Sequence, residues 1–167
     1  MTTLHPNLHP NLHRMAGLAV TGAIDGGLTV ATAESLTAGM VAAVLADTPG
    51  ASGMLQGGVV SYQNSVKARV LGVPQDLLDA VGAVDGKVAE AMAEGARRLC
   101  GADIGVSTTG VAGPQPHGGK AIGAVFIGIA TAEGSTSYEY GFEGTRAEIR
   151  ALACGAALEC LLDALAS

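Results

Sequence analysis

The order of elements along this 167-residue chain predicts an α/β protein. The expected architecture is a three-layer α/β/α sandwich around a mixed, mostly parallel sheet of about five strands. Three observations carry that prediction. Short apolar, β-prone runs alternate with helical periodicities from Asn11 to Thr108. Two strand-like runs then follow one another across Glu133-Gly134, as in a β-hairpin. A long helical segment closes the sequence.

Taken in order, residues 1–10 read as a disordered or loosely packed extension, and residues 11–167 as one domain. The tandem Leu4-His5-Pro6-Asn7-Leu8-His9-Pro10-Asn11-Leu12-His13 holds three of the four histidines. Pro6 and Pro10 oppose the regular helix that would align His5, His9 and His13, so no metal is expected there. Asn11 to Ile24 is helical and stops at Gly26-Gly27; Leu28 to Ala33 is a buried strand. Thr37 to Asp47 is a helix ended by Pro49-Gly50, and Gly58 to Tyr62 is a strand. Asn64 caps a helix to Leu71, and Pro74 opens a short one over Gln75 to Ala80. Asp85 to Cys100 is amphipathic, with Val88, Met92 and Leu99 on or near one face. Ile104 to Thr108 is a strand, and Gly110 to Lys120 a glycine- and proline-rich loop. Ile122 to Thr131 and Ser135 to Phe142 form the hairpin. The last helix runs from Thr145 to Ala166, with Thr145 and Glu148 as a capping box.

Composition narrows the function. Hydrophobic residues make up 49% of the chain but aromatics only 3%, so Ala, Val, Leu and Ile build the core. A net charge of −6 without a basic run argues against a nucleic-acid partner. No stretch has the length of a membrane span and no signal-peptide pattern is present, so a cytoplasmic protein with no membrane partner is expected. Cys100, Cys154 and Cys160 lack CxxC spacing and read as small buried residues of a reducing compartment.

Three hydroxyl-rich segments end predicted strands: Thr32 to Thr37, Ser61 to Lys67 and Ser107 to Gly113. Ligands gather at the carboxyl ends of strands in open α/β sheets. Ser35 stands where a strand turns into a helix, beside unpaired N–H groups that stabilise an oxyanion. Capping of that helix by Ser35 or Thr37 is the other reading. No histidine lies in these segments, which disfavours a Ser-His-Asp triad. Lys67, in the first turn of its helix, has an ammonium disfavoured by the helix dipole; burial would make it a neutral general base, whereas a solvated surface lysine is the alternative. The Gly110 to Gly113 loop can present N–H groups to an anion or serve only as a turn. Arg146 sits in the first turn of the last helix, where a cation is unfavourable without a ligand or partner charge.

Four segments together carry a resemblance: Ala31 to Gly39 (Ala-Thr-Ala-Glu-Ser-Leu-Thr-Ala-Gly), Val60 to Lys67 (Val-Ser-Tyr-Gln-Asn-Ser-Val-Lys), Thr109 to Pro114, and Gly141 to Arg146. From about Asn11 to Leu165 the chain resembles the C-terminal domain of the competence-damage inducible protein family, CinA, which also exists as a stand-alone enzyme. The resemblance implies a nicotinamide-nucleotide amidase that converts nicotinamide mononucleotide and water to nicotinate mononucleotide and ammonia, returning a by-product to NAD synthesis. It implies Ser35 as nucleophile, Lys67 as base, and Tyr62 and Thr109 completing the catalytic set. Thr37, Gly39, Asn64, Gly110, Gly113 and Arg146 form the implied substrate-binding set. Backbone N–H groups of Leu36 to Ala38 would hold the oxyanion. No cofactor and no metal are implied, and a homo-oligomer, with a dimer favoured, is. Two departures stand out. Ala38-Gly39 replaces the usual Gly-Gly, and its methyl is expected to narrow the space near the helix start. The loop from Gln115 to Gly123 starts with fewer glycines, which bears on substrate preference. The alternative readings are a non-catalytic nucleotide-binding or interaction module and a serine amidase acting on another small amide.

Overall fold

The computed structural model describes residues 8–167. Its elements in chain order are α1 (Leu8–Gly26), β1 (Val30–Glu34), α2 (Met40–Ala46), β2 (Leu55–Val60), α3 (Asn64–Leu71), α4 (Gln75–Val81), α5 (Gly86–Cys100), β3 (Ile104–Gly110), β4 (Ala124–Thr131), β5 (Gly134–Gly141) and α6 (Arg146–Leu165). The five strands form one sheet in the order β2-β1-β3-β4-β5. β1 pairs in parallel with β2 and β3, while β4 runs antiparallel to both β3 and β5. The carboxyl ends of β1, β2 and β3 therefore share one edge of the sheet.

Helices cover both faces, the three-layer α/β/α arrangement expected. On one side α1, α2 and α6 bury Val20, Leu45, Ile149 and Leu158 against Val30 and Ile127. On the other, α3, α4 and α5 bury Leu71, Leu78, Val88 and Met92 against Ala31 and Ala33. Central β1 is buried throughout, so its apolar residues do not alternate with polar ones. Helix α5 lies unusually close to the sheet because glycines receive it. A methyl on Gly105 would overlap the Ala93 carbonyl, and one on Gly128 the Ala89 carbonyl. Ser107 Oγ donates to that Ala89 carbonyl at 2.6 Å.

Several element boundaries differ from those read in the sequence, each for a local reason. Helix α1 begins at Leu8, so Pro10 is inside it; in a first turn the missing N–H has no intrahelical acceptor to lose. Residues 1–7 of the expected extension, including His5, lie outside the described residues. β1 begins at Val30 because the Leu28 N–H donates to Ala23 O at 2.8 Å, finishing α1, with Gly27 at φ 64°. β2 spans Leu55–Val60 rather than Gly58 to Tyr62, following its pairing with β1. The hairpin turn is Ala132-Glu133, and Gly134 already pairs with Thr131. Leu99 is 55% exposed, so the buried face of α5 runs through Val88, Met92 and Ala96 instead. Cys154 and Cys160 are buried, but Cys100 is only half-buried. The final helix carries both halves of the capping box, between Thr145 and Glu148. Among the described residues, no helix is long and apolar enough to cross a membrane.

Candidate active site

The loops that leave β1, β2 and β3 at their shared edge, with the start of α6, enclose a cavity of about 810 Å³. Ser35, Tyr62, Asn64, Lys67, Thr109 and Arg146 line it, as do Gly110 and Gly113. Thr37 and Gly39 are placed elsewhere. Thr37 is fully buried and its hydroxyl bonds Glu34 at 2.6 Å and Thr108 at 2.7 Å, while Gly39, at φ 95°, starts α2.

Ser35 extends the β1 ladder, donating its N–H to Thr108 O at 3.0 Å. Its hydroxyl lies 3.2 Å from Nζ of Lys67, which α3 delivers from the opposite helical layer. The Lys67 side chain is wholly buried. Its other two partners are carbonyls, Ser61 O at 2.7 Å and Tyr62 O at 3.4 Å. Nζ donates to all three oxygens; once neutral, the amine can keep two N–H bonds to the carbonyls and turn its lone pair to the Ser35 hydroxyl. Burial pushes the ammonium from 10.5 down to about 8. The N-cap of α3 is Gln63 rather than Asn64, which is the first helical residue and faces the cavity.

The turn after Ser35 differs from the helix start expected there. α2 begins only at Met40. Neither Ser35 nor Thr37 caps it; the buried carboxylate of Glu34 does. Glu34 accepts from the N–H groups of Gly39 at 3.0 Å, Val41 at 3.1 Å and Ala42 at 2.9 Å, besides the Thr37 hydroxyl. An anion at a helix N-terminus is favoured by the unpaired N–H groups and the dipole. Ala38 N–H donates to Ser35 O at 3.1 Å, which removes it from the expected oxyanion set. The N–H groups of Leu36 and Thr37 have no partner among the described residues, but only Leu36 lines the cavity, Thr37 being fully buried.

Ala38 holds φ 51°, the left-handed conformation that costs a residue with a Cβ about 1–2 kcal/mol. Its methyl is exposed and does not line the cavity, so it does not narrow the site as expected. Ala38→Gly is therefore expected to stabilise the fold by about 0.5–1 kcal/mol after the entropy cost of a glycine. Chemical unfolding checks this; a lower midpoint would show that the backbone strain is already relieved by its neighbours.

Arg146, the first residue of α6, reaches across the mouth. It donates to Gly113 O and, through Nη2, to the Tyr62 hydroxyl at 2.9 Å. A cis peptide joins Gly113 to Pro114 beside it. The Val111 N–H is spent on Ala124 O, whereas those of Ala112 and Gly113 have no partner among the described residues. Thr109 Oγ1 donates to Ala83 O at 2.7 Å, tying the end of β3 to the segment before α5. His117 also lines the cavity.

Two residues were not singled out for a role in the sequence. Glu34 directly follows a buried strand and precedes Thr37 by three, a spacing able to close a local bond. Arg150 lies one helical turn beyond Arg146 and so on its face. It donates to the carbonyls of Leu36 and Thr37, at 2.8 and 3.0 Å.

Fold and site together define a class: an α/β/α sandwich with a half-buried serine beside a buried lysine at the carboxyl ends of its parallel strands. Residues 12–165 match the family model described as CinA C-terminal domain. The chain belongs to that family. It is 46% identical over 138 residues to a CinA-like protein of Frankia casuarinae, covering 83% of this chain and 32% of that one. It spans about a third of the length of the curated relatives it matches. Among solved structures, competence/damage inducible protein CihA from Agrobacterium tumefaciens superposes with a TM-score of 0.89 at 32% identity, covering 100% of both chains. Competence damage-inducible protein A (ComA) from Klebsiella pneumoniae gives 0.90 at 29% identity, covering 93% of this chain and 97% of that one.

Proposed function

We propose that this chain is a nicotinamide-nucleotide amidase that hydrolyses the carboxamide of nicotinamide mononucleotide by serine–lysine chemistry. The single observation that carries the reading is the wholly buried Lys67 amine, 3.2 Å from Ser35 Oγ and otherwise bound only to carbonyls. Neutral Lys67 takes the Ser35 proton as Oγ attacks the carboxamide carbon. The C=O electrons move to oxygen, which the Leu36 N–H receives. Lys67 returns the proton to the amide nitrogen, the C–N bond breaks and ammonia leaves. Water, losing a proton to the same amine, then cleaves the ester and frees Ser35 and the carboxylate product. Thr109 and Tyr62 shape the polar wall. The substrate phosphate is assigned to Arg146 and the N–H groups of Ala112 and Gly113.

The place proposed for this reaction is pyridine-nucleotide salvage, in a cytoplasmic homodimer. A second reading, a serine amidase on another small amide, draws on the loop that brings His117 to the cavity. Ammonia release is the test, with nicotinamide mononucleotide, plain nicotinamide and other small amides compared. Preference for the mononucleotide is expected. Equal turnover of plain nicotinamide would remove the phosphate assignment. Binding of the mononucleotide with no ammonia from any amide would make the chain a nucleotide-binding module.

A further inference from the structure

We propose that Arg150 is a positioning residue that, through the turn it holds, aims the oxyanion donor Leu36 N–H at the oxygen of the carboxamide attacked by Ser35. The proposal rests on the amidase reading of the site. Its basis is a chain of bonds running through three consecutive peptide planes.

Arg150 Nε donates to Leu36 O at 2.8 Å. That carbonyl and the Thr37 N–H belong to one planar trans peptide and point in opposite directions. Holding the oxygen therefore fixes the plane of the peptide between Leu36 and Thr37. Arg150 Nη2 donates to Thr37 O at 3.0 Å. The N–H of that next peptide, Ala38, donates to Ser35 O at 3.1 Å. Ser35 O in turn shares a peptide with the Leu36 N–H. One guanidinium thus fixes two peptide planes directly and the Leu36 donor through a single relay. Both bonds are charge-assisted and draw electron density toward the carbonyls, which makes the N–H groups better donors.

The turn needs such a hold. It contains a left-handed Ala38, and its far side is bound to an anion, with the Glu34 carboxylate taking Gly39, Val41 and Ala42. Arg150 supplies the opposite charge on the carbonyl side. The planar fork matters: a lysine keeps the charge but cannot span two adjacent carbonyls with a rigid pair of donors. Arg150 touches neither Ser35 Oγ nor Lys67, so its effect is separate from general-base chemistry.

The test uses the whole chain with Arg150→Met and, should that variant fold poorly, Arg150→Lys. Turnover is measured alongside amide hydrogen exchange. Exchange at Ala38 to Ala42 is expected to rise about 10-fold or more while that of α5 is unchanged. kcat is expected to fall about 10- to 100-fold, with KM within about 2-fold and the pH midpoint unmoved. Arg150→Lys should recover part of kcat and of the protection. Unchanged exchange at Ala38 to Ala42 in a folded variant overturns the proposal, as does a loss appearing wholly in KM. Failure of the wild-type chain to release ammonia would instead sink the amidase reading, and the exchange measurement would still decide whether Arg150 holds the turn.

Discussion

Replacing Ser35 with alanine is expected to lower ammonia release by on the order of 10⁴-fold or more, the scale at which losing a catalytic nucleophile is felt. Among the described residues, Oγ is the only hydroxyl that bonds Lys67 Nζ; the amine's other partners are the Ser61 and Tyr62 carbonyls, which cannot attack carbon. What survives is the contribution of substrate binding and of the Leu36 N–H, which help a water attack directly. The fold should barely notice, since Ser35 is only half-buried and its hydroxyl makes one bond. Steady-state turnover and a melting curve on the same preparation check both halves. A folded Ser35→Ala protein retaining more than about a hundredth of wild-type turnover would remove serine from the mechanism.

Lys67→Met is expected to cost turnover and gain stability. General-base removal costs about 10²–10⁴-fold. In the wild type, the rate should climb about tenfold per pH unit below the amine's value of about 8 and level off above it, because only the neutral form accepts the Ser35 proton. The stability argument has the opposite sign from that of a paired lysine. Folding lowers the value from 10.5 to about 8, so between those limits the unfolded chain binds more protons and stability rises with pH. Below about 8 the cost is fully present, about 3 kcal/mol. Methionine removes that cost and forfeits the bond to Ser61 O, worth about 1 kcal/mol or somewhat more. A net gain on the order of 1–2 kcal/mol at pH 7 follows, or about 3–6 °C in Tm. It should vanish by about pH 10, where the remaining cost falls to the size of the forfeited bond, and reverse above that. A methionine variant that melts below wild type at pH 7 would show that the carbonyls repay the buried charge.

The parts of this site that the sequence revealed are those where local pattern and chemistry coincide. Ser35 follows a run of small and β-branched residues and precedes a helix, so its place at a strand end could be read. Lys67 was readable as a lysine in a first turn, although its burial was not, since nothing local distinguishes it from a solvated lysine. Thr145 and Glu148 spell a cap that depends on four consecutive residues, and that cap forms. The misreadings arise where a bond skips the expected partner. A Ser/Thr-rich turn suggests a hydroxyl cap, yet the preceding strand's Glu34 reaches over it to claim the helix N–H groups. That claim delays α2 to Met40; Ser35 O takes the Ala38 N–H and burial withdraws that of Thr37, so of the three expected oxyanion donors the Leu36 N–H faces the cavity. Arg150 was beyond any local signal: 114 residues separate it from Leu36, and only packing of α6 beside the sheet joins them.

The proposed nucleophile and base arrive from opposite sides of the sheet, the serine turn packed with α6 and the lysine carried by α3 in the α5 layer. Proton transfer between them is thus a gauge of how the two helical shells are seated on their common β floor. A shift of one shell by a single ångström stretches the 3.2 Å contact past useful length while leaving each shell internally whole. Heat, cosolvent or a distant substitution can silence such a catalyst without melting it, and turnover becomes a finer reporter of interlayer slip than any measure of helix content.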